Sequence, residues 1–260
     1  MLAAELLAEV SRLAPPELAE EWDNVGLLVG RHNQPVSRVL VALELRDEVL
    51  GEAREQGCDA VLTHHPVIFP SLSALTDDSA AAELALRAAE ERTVVIAAHT
   101  NLDAARGGLN DVMAQLLGLS ATRPLRPAAA DALAGLGRVG RVGPTTLAKL
   151  AAGVGQSFGG APVSYAGDPD SRVETVACCT GSGASLIPDA RAAGADAFVT
   201  SDLKYHDADR ADGLQLVSLP HARAERVALK IWARALERAL AGDRVEVLFA
   251  KADTDPWQVA

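Results

Sequence analysis

The sequence predicts an α/β protein built in three layers, with parallel strands between helices. Apolar runs of strand length alternate with helical patterns along the chain, which favours parallel strands joined by crossover helices. Of the 260 residues, 49% are hydrophobic and only 3% aromatic, so aliphatic side chains fill the predicted core. A chain of this length buries about 70–75% of its unfolded surface and needs no disulfide or metal to fold.

The first half of the chain reads as βαβαβα. Its N-terminal segment predicts an amphipathic helix, because Leu2, Leu6, Val10 and Leu13 share one helical face. The strand predicted at 37–45 is apolar on both faces in its middle, as in a buried parallel strand. The other elements expected here are an apolar run at 25–30, strands at 59–63 and 93–98, and helices at 46–57, 79–92 and 107–118.

A second group of elements follows a predicted linker. Residues 119–134 contain two prolines and little periodicity, which is typical of a connecting segment. Beyond it we expect strands near 137–142, 162–166, 172–179, 196–200, 214–219 and 244–250, and helices near 144–155, 184–193 and 221–241.

Composition argues against several classes of protein. The formal net charge of −11 is unfavourable for nucleic-acid binding, which needs a basic face. The three cysteines, Cys58, Cys178 and Cys179, are too few for a disulfide framework and lack zinc-ribbon spacing. Glu5 and Glu9 stand where a signal peptide carries positive charge. No apolar stretch approaches the roughly 20 residues of a membrane span, so we expect a cytoplasmic protein.

Chemistry-bearing side chains collect just beyond the ends of predicted strands. In a parallel sheet, ligands bind at the carboxyl ends of the strands, so we expect these side chains to converge on one sheet edge. A single histidine there is more often a loop residue with its own hydrogen-bond partner, whereas several together favour a site. The residues concerned are His64, His65, His99, Asp103, Asp202 and His221.

The adjacent pair His64 and His65 suggests more than one metal ion. Pro66 favours an extended conformation for His65, and neighbouring side chains diverge in extended backbone. This divergence disfavours one ion that binds both rings and favours two neighbouring ions.

The helix predicted from His221 onward carries a second candidate group. Its buried face begins with His221 and Glu225 and continues as an ordinary apolar stripe of Leu229, Trp232, Leu236 and Leu240. Burial of a lone carboxylate is costly, so Glu225 either pairs with a buried cation such as arginine or binds a metal. Imidazole with carboxylate suits Zn, Fe, Mn or Ni. Two such ions about 3.5–4 Å apart, bridged by a carboxylate, are a familiar hydrolytic arrangement.

A glycine-rich segment is open to two interpretations. Residues 181–185, GSGAS, follow a predicted strand and precede a helix, so their amides could bind an anion. The segment lacks the third glycine of a dinucleotide fingerprint, and a plain turn is favoured. The sequence contains no P-loop.

Six segments, in order, resemble those of the NIF3-like, dinuclear-metal-centre proteins, often labelled GTP cyclohydrolase 1 type 2 homologues. They are WDNVGLLVG (22–30), LTHHPVIF (62–69), HTNLDAARGGLND (99–111), VACCTGSG (176–183), SDLKYHDA (201–208) and HARAE (221–225). The resemblance implies a NIF3-like fold. We expect two interlinked α/β subdomains, residues 1–127 with 212–260, and residues 128–211.

The resemblance also implies a ligand set for two divalent ions. His65 and Asp103 would share one ion, His64 and His221 the other, and Glu225 would bridge both. His99, Asn101, Asp202 and His206 are candidates for supporting or substrate contacts. Family members assemble as toroidal hexamers, so the resemblance implies a homo-oligomer.

Two functions remain open at this point. The first is a metal-dependent hydrolase of a nucleotide-like small molecule, with no catalytic residue assigned. The second is a non-catalytic metal-binding, metal-delivery or regulatory scaffold protein. Five protein ligands over two ions leave positions for water, which favours catalysis. A redox enzyme is disfavoured because the sequence lacks a motif for an electron-carrying cofactor.

Overall fold

The computed structural model describes residues 1–129 and 131–258. It divides into two compact units, one formed by Met1–Ala105 with Leu229–Pro256 and the other mainly by Arg106–Ala228. Each unit contains one sheet with helices packed against it. The predicted α/β class is therefore confirmed.

Most predicted elements are present, with ends shifted by a few residues. The helices are α1 (Ala3–Leu13), α2 (Asp47–Glu55), α3 (Ala80–Glu90), α4 (Thr100–Ala104), α5 (Leu109–Leu116), α6 (Leu147–Ser157), α7 (Ile187–Ala192), α8 (Tyr205–Asp209) and α9 (His221–Ala239). The strands are β1 (Gly26–Val29), β2 (Arg38–Ala42), β3 (Ala60–Thr63), β4 (Val94–Ala97), β5 (Ser120–Pro127), β6 (Gly135–Thr146), β7 (Ser164–Ala166), β8 (Arg172–Ser182), β9 (Ala197–Ser201), β10 (Gln215–Ser218) and β11 (Glu246–Phe249). Among the described residues, no helix combines the length and apolar character needed to cross a membrane.

The sheet of the first unit has the strand order β1-β4-β3-β2-β11. Strands β2, β3 and β4 are mutually parallel, as their uninterrupted apolar sequences predict. Every residue of β3 and β4 is buried. Because these two strands are neighbours and parallel, the segments that follow Thr63 and Ala97 emerge side by side.

The sheet of the second unit has the order β5-β6-β8-β9-β10-β7. Strands β8, β9 and β10 are parallel, and the carboxyl ends of β9 and β10 are neighbours. Cys178 and Cys179 in β8 are buried in different apolar clusters, so they lie on opposite faces of the strand, as expected.

The predicted linker at 119–134 is wrong for half of its length. Ser120–Pro127 forms strand β5, which pairs antiparallel with β6. Since β5 is at the edge of its sheet, Pro124 and Pro127 are tolerated there. Ala130, which belongs to the predicted linker, lies outside the described residues.

The two units are divided differently from the expected subdomains. Helix α5 packs against β6 and β8, and β10 pairs with β9, so both elements belong to the second unit. The side chain of Asn110 in α5 accepts a hydrogen bond from the Thr180 backbone amide at 2.9 Å. His221 and Glu225 also fall in the second unit, whereas the expected division placed them in the first.

Candidate metal centre

Three imidazoles form a compact cluster at the carboxyl ends of β3 and β4 in the first unit. The ring centroids of His64 and His65 are 5.2 Å apart, and those of His64 and His99 are 5.1 Å apart. One ring nitrogen of each of the three lies within 4.8 Å of the others. The expected approach of these histidines is therefore present in the structure.

Backbone hydrogen bonds hold the histidine pair beside strand β2. The His64 amide donates to the Ala42 carbonyl at 3.2 Å, and the His65 amide donates to the Leu43 carbonyl at 2.7 Å. The parallel ladder thus continues one step past β3 and fixes the backbone from which both imidazoles project. His64 is fully buried, whereas His65 is partly exposed.

The hydrogen bond of His64 determines which of its ring nitrogens is available to a metal. Its Nδ1 lies 3.0 Å from the Ala98 carbonyl oxygen, which can only accept, so Nδ1 carries the hydrogen. Nε2 then presents its lone pair, an arrangement usual for metal-bound histidine. A carboxylate oxygen of Asp103, Oδ1, lies 3.8 Å from this Nε2. Asp103, which the resemblance paired with His65, thus also lies close to His64.

His99 is oriented by Asp23, a residue that the sequence analysis did not select. Nδ1 of His99 lies 2.8 Å from Asp23 Oδ1. The other carboxylate oxygen of Asp23 accepts hydrogen bonds from the Thr100 amide, at 3.0 Å, and from the Thr100 hydroxyl. Burial raises the pKa of Asp23, but these hydrogen bonds outweigh it and hold the pKa well below its usual range.

Asn101 supports the cluster from behind. Its side-chain oxygen accepts from the His99 amide at 2.8 Å, and its side-chain nitrogen donates to the Ala14 carbonyl at 2.8 Å. These contacts fix the start of α4 relative to the end of α1. Asn101 thus acts on the backbone of His99 in this structure.

A second group lies in the second unit, at the carboxyl ends of β9 and β10. His221 and Glu225 occupy the first turns of α9, with imidazole Nε2 and carboxylate Oε2 2.9 Å apart. The other ring nitrogen, Nδ1, lies 2.6 Å from Asp202 Oδ2. Burial alone lowers the pKa of His221, but the two carboxylates outweigh burial and raise it to about 10. This imidazole therefore occupies a strongly anionic environment.

Gly181 provides the space that Glu225 occupies. A Cβ atom at this position would lie 2.3 Å from Glu225 Oε1 and 3.4 Å from Cε1 of His221. The glycine also has a φ of +63°, which favours glycine over other residues. The GSGAS segment forms the end of β8 and a short 3₁₀ helix, so its first glycine accommodates the carboxylate.

His206 lies at the surface, beside an aromatic ring. It is exposed on the short helix α8, with its ring centroid 5.3 Å from that of Tyr205. Asp202, in contrast, has the supporting position expected for it, next to His221.

The donor atoms of both groups fit a transition metal. The first unit offers imidazole nitrogens and the Asp103 carboxylate, and the second offers imidazole and carboxylate together. Nitrogen with oxygen donors suits Zn, Fe, Mn or Ni, whereas Ca and Mg prefer oxygen alone. The expectation of one common sheet edge is wrong, because the donors follow strands of two different sheets.

Comparison with known proteins identifies relatives over nearly the whole chain. The sequence model of the family described as Duf34/NIF3 (NGG1p interacting factor 3) matches residues 1–256. A Clostridium perfringens protein named GTP cyclohydrolase 1 type 2 homolog is 32% identical over 258 residues, which cover 98% of each chain. A protein of the same name from Streptomyces coelicolor is 35% identical over 266 residues, covering 98% of this chain and 93% of the other.

The fold is also found among solved structures. A crystal structure of a Bacillus cereus protein related to NIF3 aligns with a TM-score of 0.93 at 24% identity, covering 100% of this chain and 99% of the other. The predicted NIF3-like fold is thereby confirmed.

Proposed function

Since the chain belongs to the DUF34/NIF3 family, we propose that it is a metal-dependent hydrolase that uses two divalent transition-metal ions to act on a nucleotide-like small molecule. The observation that supports this most directly is the cluster of three imidazoles, in which His64 and His99 each have Nδ1 engaged by an acceptor. Such outer hydrogen bonds orient histidines toward a metal.

The proposed ligands are His64, His65, Asp103, His221 and Glu225. As the resemblance implies, His65 and Asp103 would hold one ion and His64 and His221 the other. Glu225 would bridge both ions. The 3.8 Å approach of Asp103 Oδ1 to His64 Nε2 supports a role for this carboxylate in the metal centre.

Other polar groups orient the imidazoles of the site. Asp202 fixes the ring of His221 and the Ala98 carbonyl fixes that of His64, and both are proposed ligands. Asp23 fixes the ring of His99, which is proposed as a supporting residue. The carboxylates of Asp103 and Glu225 offset the charge of two dications in a largely buried setting. Divalent ions in such a site supply Lewis-acid activation of water and of the bond to be cleaved.

We also propose that the protein assembles as a homo-oligomer, in a toroidal hexamer, as the family resemblance implies. Light scattering at micromolar concentration should give about six times the 27.1 kDa chain mass. A mass of one chain under these conditions would contradict this proposal.

The hydrolase proposal is tested by metal content and turnover on the same preparation. Protein reconstituted with Zn, Mn or Fe should contain about two equivalents by elemental analysis. It should also release product from at least one member of a panel of nucleotides and phosphate esters. His65→Ala should abolish turnover, whereas the exposed His32→Ala should not.

The possible outcomes separate the two functions. Two equivalents of metal without turnover on any substrate would favour a metal-delivery or scaffold protein. One equivalent or none after reconstitution would contradict the dinuclear centre itself.

A further inference from the structure

A small cavity in the second unit lies between helix α8 and the β7–β10 edge of the sheet. Its volume is about 190 Å³. Pockets for complete small-molecule ligands measure about 300–1,000 Å³, so this cavity accommodates one part of a ligand. The size corresponds to a ring system with its immediate substituents.

The lining of the cavity combines an apolar floor with exposed aromatic side chains. Leu203 and Leu216 form part of the floor. Tyr165 and Tyr205 also line it, and they are 44% and 78% exposed. Tyrosine presents a flat ring at low entropic cost and stacks well on other rings. The surface is therefore suited to a planar aromatic group.

Polar groups on the same cavity add a preference for negative charge. Lys204 lines it next to Tyr205, and the hydroxyl-bearing Ser164 and Ser218 lie on the β7–β10 side. An ammonium with nearby hydroxyls is a common arrangement for phosphate or carboxylate. The favoured ligand thus carries both a flat ring and an anionic group.

Residues that line the cavity are close in sequence to the metal-ligand group of the second unit. Lys204 comes two residues after Asp202, whose carboxylate contacts His221 at 2.6 Å. Ser218 ends β10 three residues before His221. The cavity and this group therefore share the carboxyl ends of the neighbouring strands β9 and β10.

We infer that this cavity is the substrate's ring subsite, in which Tyr205 and Tyr165 stack on a planar aromatic ring and Lys204 holds an attached anionic group. The inference rests on the proposed function, since it names the class of substrate for that site. It assigns to Tyr165, Lys204 and Tyr205 a role in specificity.

The test is ligand binding by the metal-loaded full-length protein, with the four ribonucleoside 5′-monophosphates as probes and ribose 5-phosphate as the probe without a ring. Saturation-transfer NMR should show the base protons as the most strongly saturated, and ribose 5-phosphate should bind at least tenfold more weakly. Tyr205→Ala should raise the Kd about tenfold or more, as loss of one stacking partner does. Tyr205→Phe should bind as the wild type does.

Lys204→Gln separates the two parts of the ligand. It should weaken binding of the monophosphates severalfold and leave binding of the corresponding nucleosides unchanged. Leu133→Ala, at an exposed residue of the same unit, is the control and should change neither. Unsaturated base protons, or an unchanged Kd in Tyr205→Ala, would overturn the inference.

Three further outcomes separate this inference from the proposed function and from an interface between copies. Ring binding that depends on Tyr205, without turnover on any substrate, would support the subsite and contradict the hydrolase. Turnover with an unchanged KM in Tyr205→Ala would support the hydrolase and contradict the subsite. Dissociation of an oligomer by Tyr205→Ala, with nucleotide binding intact, would identify an interface between copies and overturn the inference.

Discussion

In both units the candidate metal ligands follow the ends of parallel strands, but the two groups of side chains differ in charge. In each, polar residues follow two neighbouring parallel strands, β3 with β4 and β9 with β10. The first unit brings together three imidazoles, whereas the second places one imidazole between the carboxylates of Asp202 and Glu225. The same structural rule thus produces a nitrogen-rich group in one unit and an anionic group in the other.

This difference in charge indicates what holds the side chains of each group in place. His64 and His99 have hydrogen-bond acceptors at Nδ1, so their rings are oriented by the protein itself. The carboxylates around His221 instead require a cation, and a protonated imidazole supplies one positive charge in the absence of metal. We therefore expect metal binding to change the second unit more than the first.

The largest effect is expected from Glu225→Gln, which keeps the shape of the side chain but removes its charge. As the proposed bridge, Glu225 contributes to both ions, so metal content should fall from about two equivalents to well below one. His64→Ala should mainly empty one site. Elemental analysis after dialysis against metal-free buffer measures both variants.

Glu237→Gln is the matched control for this change, because Glu237 is an exposed residue of the same helix. It should retain two equivalents. If Glu225 serves only a buried ion pair, Glu225→Gln would keep its metal and lose about 3–5 kcal/mol of unfolding free energy, the usual cost of breaking such a pair.

Gly181→Ala should weaken metal binding without altering any proposed ligand. The added methyl group would lie 2.3 Å from Glu225 Oε1, so the carboxylate must move. Loss of such outer support typically costs 10–100-fold in metal affinity. Competition with a chromophoric chelator measures this.

Gly153→Ala is the control, because a Cβ there meets nothing within 4 Å and the residue lies in α6. Its metal affinity should equal that of the wild type. Equal affinity in Gly181→Ala would mean that Glu225 is not a ligand in the position described.

Much of this arrangement follows from sequence pattern alone. Buried parallel strands have continuous apolar sequences, so the positions of β3, β4, β9 and β10, and hence of the residues beyond them, could be predicted. The helical period predicts that His221 and Glu225 share one face of α9, where Glu225 is buried and His221 is partly exposed. Both signals are local, and both were sufficient to select the candidate ligands.

The residues that were missed depend on contacts between distant parts of the chain. Asp23 lies 76 residues from His99, and no periodicity relates them. Its position in the segment WDNVGLLVG (22–30), which carries the family resemblance, is the signal that could indicate a role for Asp23. Similarly, the space that Gly181 leaves for Glu225 depends on how β8 packs beside α9. The prolines of β5 are unfavourable in a central strand and so predict a linker, whereas the structure has an edge strand there.

Asp23→Asn and Asp202→Asn compare the supports of the two groups directly. The Asp23 side chain is fully buried, whereas that of Asp202 is 51% exposed. In Asp23→Asn, the side-chain NH2 group would face the hydrogen of His99 Nδ1 or those of Thr100, and two donors cannot bond to each other. The unsatisfied donors should cost about 1–3 kcal/mol of unfolding free energy. Asp202→Asn should cost less than about 1 kcal/mol, as exposed ion pairs do. Urea unfolding of the metal-free proteins measures both, and equal costs would contradict the contrast between the units.

A pH dependence also belongs to the second unit. The pKa of His221 is raised to about 10 in the folded metal-free protein, compared with 6.5 for an ordinary histidine. Because the folded state binds this proton more tightly, the stabilisation is complete below about pH 6.5 and is lost as pH rises toward 10. The urea midpoint of the metal-free protein should therefore fall over this interval, and it should fall less in His221→Gln. Metal binding at pH 7.5 must displace the same proton, so titration calorimetry in buffers of different ionisation enthalpy should detect its release. An identical pH profile in wild type and His221→Gln, with no proton released on metal binding, would show that the two carboxylates do not act on His221 as described.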